Sequence, residues 1–158
     1  MARQLFGLTP DEYRMYVAVH ELGHAVAGIT AGHDYRKIEL RIGDDGHPAD
    51  GIAVARRWGR KERFPLLVAI HGGFIASEMH FRKIGLWDRH RQELAASGAR
   101  HDHDQATRLK PSPQESAEAI SQARTHLKRH WTVIDYATPQ LLAKGRLSYR
   151  QLRSVPGW

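Results

Sequence analysis

The segment from Thr9 to Gly32 constrains this chain more than any other. Thr9-Pro10-Asp11-Glu12 combines an N-cap, a proline at the first helical position and a glutamate at the third, which together form a capping box. Apolar residues then recur at Tyr13, Tyr16, Val17, Val19, Leu22, Val26 and Ile29, and Ala31-Gly32 supplies a stop, so the pattern predicts a helix over residues 10–31. Around its middle, Val17-Ala18-Val19 and Ala25-Val26-Ala27 offer no charge. A helix that is apolar on every side is buried. Yet His20-Glu21-Leu22-Gly23-His24 lies at its centre, and burying these polar side chains without partners would cost several kcal/mol.

A metal ion supplies the partner that the pattern demands. His20 and His24 stand one helical turn apart on one face, so both imidazoles can reach the same ion. Glu21 is rotated by about 100° from His20 at 3.6 residues per turn, away from the ligand direction but toward a water beside the ion. His20 and His24 are therefore expected as ligands and Glu21 as a general base. The chain has no cysteine, so any transition-metal site must use His, Asp or Glu. Zn2+ with three protein ligands keeps one position open for water, lowers that water's pKa toward about 7 and polarises a carbonyl.

The remaining pattern is mostly helical. Residues 37–42 and 51–55 are short β-prone runs separated by Gly43-Asp44-Asp45-Gly46-His47-Pro48, which predicts one small hairpin. A helix follows over residues 64–83, with Gly72-Gly73 inside it as a sign that something approaches the backbone closely. Shorter helices are expected over 88–96 and 100–109. Ser112-Pro113-Gln114-Glu115 repeats the capping signature and opens a long helix to Ala137, where Thr138-Pro139 interrupts and starts a shorter one ending at Gly145. Ser148 is placed to cap a final turn. At 158 residues this describes one domain, residues 1–158, of mainly α (α+β) class.

The N-terminus has no signal-peptide pattern, and the apolar run 64–76 is interrupted by His71 and Gly72-Gly73, so it reads as a buried helix and not a bilayer span. A cytoplasmic protein without membrane contact is the expectation. The formal charge of +7 comes from arginines spread along the chain, which favours anionic partners in general and names none. No zinc-finger, helix-turn-helix or RNP pattern is present, which argues against specific nucleic-acid recognition. Trp58, Trp87, Trp131 and Trp158 read as packing residues.

A third metal ligand must come from elsewhere, and His101, Asp102, His103 and Asp104 in the stretch 97–107 all qualify by residue type. Spacing does not choose among them. However, Ser97-Gly98-Ala99 followed by Asp102 and then Ala106-Thr107 resembles the segment that supplies an aspartate ligand in the FtsH-type ATP-dependent zinc proteases. HELGHAVAG at 20–28 is similar to that family's HEAGHA helix, and Gly72-Gly73-Phe74-Ile75-Ala76-Ser77-Glu78 to its GGRAAEE. Residues 141–148 resemble its closing helices. The matches run in the family's order from about residue 17 to residue 152. Phe74 and Ser77 depart from it, standing where the family has arginine and glutamate.

The resemblance implies a zincin-like helical peptidase domain in which His20, His24 and Asp102 bind Zn2+, Glu21 activates water and Glu78 orients a ligand. Its reaction would be hydrolysis of peptide bonds by a zinc metalloendopeptidase. Gly51, Ile52, Ala53 and Val54, in the run to Ala55, are the expected substrate-binding edge strand, where an extended peptide adds by main-chain hydrogen bonds. No GxxxxGK[ST] loop is present, so the family's ATP-driven unfolding is not implied. The substrates expected are flexible or unfolded polypeptides, unless a separate ATPase or delivery partner presents them. A homo-oligomer is compatible with the family's hexamer. Two alternatives remain at this stage: a narrow regulatory protease of one partner, and a metal-stabilised basic scaffold for nucleic acid or an acidic protein.

Overall fold

The computed structural model describes residues 7–42, 48–55 and 62–158. Among these are seven helices and a small three-stranded antiparallel sheet. In chain order they are α1 (Pro10–Thr30), β1 (Tyr35–Ile42), β2 (Pro48–Ala55), α2 (Arg63–Lys83), α3 (Arg89–Gly98), α4 (Arg100–Arg108), α5 (Pro113–Arg129), α6 (Trp131–Lys144), β3 (Arg146–Ser148) and α7 (Tyr149–Arg153). The mainly α class with a small β element is thus as the sequence pattern predicts.

Helix α1 starts as its capping box requires, with Thr9 Oγ1 accepting from the Glu12 N–H and the Glu12 carboxylate accepting from the Thr9 N–H. Every residue from Tyr16 to Gly28 is buried, so α1 is the central post of the domain, packed against α2, α5, α6 and β2. Its closest neighbour is α2, which runs antiparallel to it. Gly23 and Gly72 meet backbone to backbone, and a Cβ on either would overlap the other's carbonyl. That contact explains Gly72, the first glycine of the pair inside α2. Among the described residues, α2 is the one helix long and apolar enough to cross a membrane, and more than half of that stretch is buried inside the domain.

The sheet has the order β2-β1-β3, a strand more than the expected hairpin. Leu147 is fully buried and pairs with Ile38, so the three-residue β3 adds a ladder too short to show a period in the sequence. A bulge between Tyr35 and Lys37 shifts the alternation by one residue, which puts Tyr35 among the buried residues together with Ile38 and Leu40. Strand β2 is an edge. The expected turn at 43–47 and Trp58 lie outside the described residues.

One helix boundary differs from expectation. The break comes at His130, and Pro139 sits inside α6. Proline removes one ladder hydrogen bond, but Ile134, Ala137, Thr138 and Leu141 around it are buried, and that packing holds the helix through it. At His130 the backbone leaves the helical region, and its Nδ1 donates to Gly157 O. The final turn is capped by Ser148 as anticipated.

Candidate metal centre

The antiparallel packing of α1 on α2 sets the site. His20 and His24 project from α1 over Gly73 of α2, where any Cβ would strike both rings. Helix α3 ends at Gly98 against the hydroxyl of Tyr16, and the chain turns at Ala99 into α4, whose first turn delivers Asp102. The result is a triangle: His20 Nε2 to Asp102 Oδ2 is 3.1 Å, His24 Nε2 to Asp102 Oδ2 is 3.3 Å, and the two Nε2 atoms are 3.1 Å apart. Among the described residues, His20, His24 and Asp102 form a group whose ligand atoms converge in this way. His101, His103 and Asp104 on the same helix are exposed. His101 instead meets the Gln105 amide.

Hydrogen bonding fixes which nitrogens carry protons. Ser77 Oγ donates to Gly73 O, so it accepts from His20 Nδ1–H at 3.2 Å. Similarly, His24 Nδ1–H donates to Ala69 O at 2.9 Å. Both neutral rings therefore aim unprotonated Nε2 lone pairs at each other and at a carboxylate. Such an arrangement repels itself unless a positive charge lies between the three atoms. Two ligands at 2.0–2.1 Å from a tetrahedral Zn2+ are about 3.3 Å apart, close to the separations found. The donor set fits zinc in type, number and spacing, while other ions that accept two imidazoles and a carboxylate fit the same chemistry.

Burial disfavours a charged His24, yet Asp102 beside it outweighs burial and raises His24 to about 9. Asp102 is likewise pushed up by burial, but His24 and His20 hold it well below the usual carboxylate range. Glu21 is raised, chiefly by burial, with the two histidines opposing.

Glu21 lies against β2. Ala53 N–H donates to its carboxylate, and a Cβ at Gly51 would overlap its Cγ, so Gly51 is the residue that lets the strand approach. The predicted strand residues thus reach the predicted base. Since Ala53 N–H points away from β1, and Gly51 shares its register parity opposite β1, the outward-facing groups left at this edge are the Gly51 N–H and C=O and the Ala53 C=O. Gly51, Ile52 and Ala53 line the cleft beside the three donors. Val54 continues the strand opposite Lys37; its side chain lies outside the described residues.

Glu78 does not orient a ligand. Its carboxylate accepts from Arg82 Nε at 2.9 Å and Arg124 Nη2 at 2.8 Å, tying α2 to α5. One residue earlier, Ser77 faces His20, and helical rotation of about 100° per residue turns Glu78 toward α5 instead. Ser77, the Ala69 carbonyl and Gly73 are the parts of the centre that sequence reasoning missed. The glycine doublet signalled a close approach, and Ser77 stood out only as a departure from the family pattern.

The cleft is a cavity of about 800 Å³ that also takes in Tyr16, Val17, His33, Tyr35, Leu66, Ile70, Leu94 and Leu109. Compared with protein-family models and with curated proteins, the chain matches none.

Proposed function

We propose that this chain is a zinc-dependent endopeptidase, similar to the peptidase domain of the FtsH-type zinc proteases, that hydrolyses peptide bonds in flexible or unfolded polypeptides. The observation that carries this reading is the convergence of His20 Nε2, His24 Nε2 and Asp102 Oδ2 at 3.1–3.3 Å with both Nδ1 atoms already engaged. When bound, Zn2+ would supply Lewis-acid polarisation of the scissile carbonyl and acidify a water at its open position.

The chain's own residues do the rest. Glu21 takes the proton of the attacking water on its carboxylate and returns it to the leaving amine, a role helped by burial that keeps its pKa above the ordinary value. Ala53 N–H holds that carboxylate in place from the edge strand. Ser77 and the Ala69 carbonyl fix the two imidazole planes. The open groups of Gly51 and Ala53 are placed to align an extended peptide across the centre. Polypeptide is the substrate class, and a separate ATPase or delivery partner would widen it to folded proteins.

The test is cleavage of an unfolded, fluorescently labelled polypeptide by the zinc-loaded protein. Activity that disappears with a chelator and returns with added Zn2+ supports the proposal. Zinc bound at one per chain with no cleavage of this substrate or of native candidate partners would overturn it, and would favour a metal-stabilised scaffold.

A further inference from the structure

Two contacts join α1 to the corner between α3 and α4, and they keep the same step. His20 Nε2 and Asp102 Oδ2 are 3.1 Å apart. Four residues earlier on each segment, Tyr16 meets Gly98, where a Cβ would overlap the phenol oxygen. That hydroxyl donates to Leu94 O at 3.4 Å, in the turn that leads into Gly98. Four residues rise about 6 Å along a helix, so the Tyr16–Gly98 contact lies about one turn before the metal donors on both sides of the seam.

Both sides of this contact are held. The Tyr16 ring is 4% exposed and stacks on the fully buried Phe81 of α2, with centroids 5.6 Å apart and an interplanar angle of 19°. Opposite it, Ala99 N–H donates to Ala95 O and His103 N–H to Ala99 O, so backbone hydrogen bonds run through the corner from Leu94 to Asp102. A shift at Gly98 is therefore carried into the first turn of α4. Helices α3 and α4 pack on α2, and they reach α1 through these side chains.

We propose that Tyr16 is a positioning residue for the metal centre: its hydroxyl, seated on Gly98, is the spacer that sets how closely Asp102 approaches His20 and His24. The proposal rests on the metal site of the reading above and not on peptide hydrolysis. Donor separations of 3.1–3.3 Å leave little latitude, because two ligands of a tetrahedral Zn2+ are about 3.3 Å apart. Removing the phenol oxygen opens a gap into which the corner settles, and a methyl group at position 98 overfills the same space. Together the two changes offset each other. Without the oxygen, the nearest atom that a Cβ at 98 meets is the ring carbon Cζ at 3.3 Å, a tight contact that a small shift relieves.

Zinc competition titrations and visible absorption spectra of the Co2+-loaded full chain test this in wild type, Tyr16→Phe, Gly98→Ala and the double variant. Each single change should weaken zinc binding, Gly98→Ala by at least about tenfold, the scale on which groups that support metal ligands act. Each should also alter the Co2+ spectrum, which reports ligand geometry. The double variant should recover most of the affinity and the wild-type spectrum, as coupled neighbours do. A merely structural role would lower the melting temperature and leave the spectrum unmoved. Losses that add in the double variant, or single variants that bind both metals as wild type does, would overturn the spacer. If Gly98→Ala does not fold, the double variant against Tyr16→Phe decides: the added methyl must raise zinc affinity, and an unchanged or lower affinity sinks the idea. The readings fail separately, since an intact cycle without any cleavage removes only the peptidase, whereas wild type that holds no metal removes the centre itself.

Discussion

Ser77 controls His20 through a hydrogen bond whose direction is forced, since its only proton goes to Gly73 O. Ser77→Ala leaves the His20 Nδ1–H without an acceptor, and partners of this kind are worth roughly 10–100-fold in metal affinity. We expect a loss in that range, measured by zinc competition with a chelating dye. Glu78→Ala serves as the contrast: it removes the tie to Arg82 and Arg124, so the melting temperature should fall while zinc affinity holds. Equal zinc loss in both variants would contradict the assignment. The sequence shows His20, Glu21 and His24 because one helix holds all three and its period is known. Asp102 needed a family resemblance, as four residues of two types in one stretch could ligate. Ser77 was visible only as a departure from the family pattern, and its role was not legible, because its partner lies 57 positions away and is chosen by how α1 packs on α2.

At the scale of elements, the α1–α2 contact sets the spacing between the histidines and their second partners. Gly72→Ala would place a methyl group 2.8 Å from Ala27 Cβ and against Gly23 O, and overpacking of this kind costs about 1–3 kcal/mol. Chemical denaturation should show that loss, together with weaker zinc binding as the helices part. Helix α5 offers a pH test. The Arg63 guanidinium and the Ser112 N–H hold Glu115 down at about 2, against an ordinary value of 4.5. A depressed folded pKa contributes stability that is present above 4.5 and lost as pH falls toward about 2. The melting-temperature gap between wild type and Glu115→Gln should therefore be open at pH 7 and closed near pH 2. The capping boxes at Thr9 and Ser112 and the cap at Ser148 were readable, being local. The break at His130 before α6 and the strand Arg146–Ser148 were not, because tertiary packing and pairing with β1 decide them.

Seen whole, the molecule is a buried helix carrying two imidazoles, with a neighbouring helix fixing their planes, a helical corner delivering a carboxylate and an edge strand reaching the glutamate between them. Each part comes from a different stretch of chain, yet all four meet in one cleft. In that cleft the groups that would hold the metal are separate from the proposed base. Glu21 touches β2 and is not among the three converging donors, so Glu21→Gln should keep about one zinc per chain while losing cleavage of an unfolded, labelled polypeptide by a factor on the order of 10² or more. Measuring zinc content and cleavage in the same preparation of wild type and Glu21→Gln is the most direct test. Retained zinc with lost cleavage is the predicted result; cleavage by Glu21→Gln at the wild-type rate, with zinc retained, would contradict the central claim.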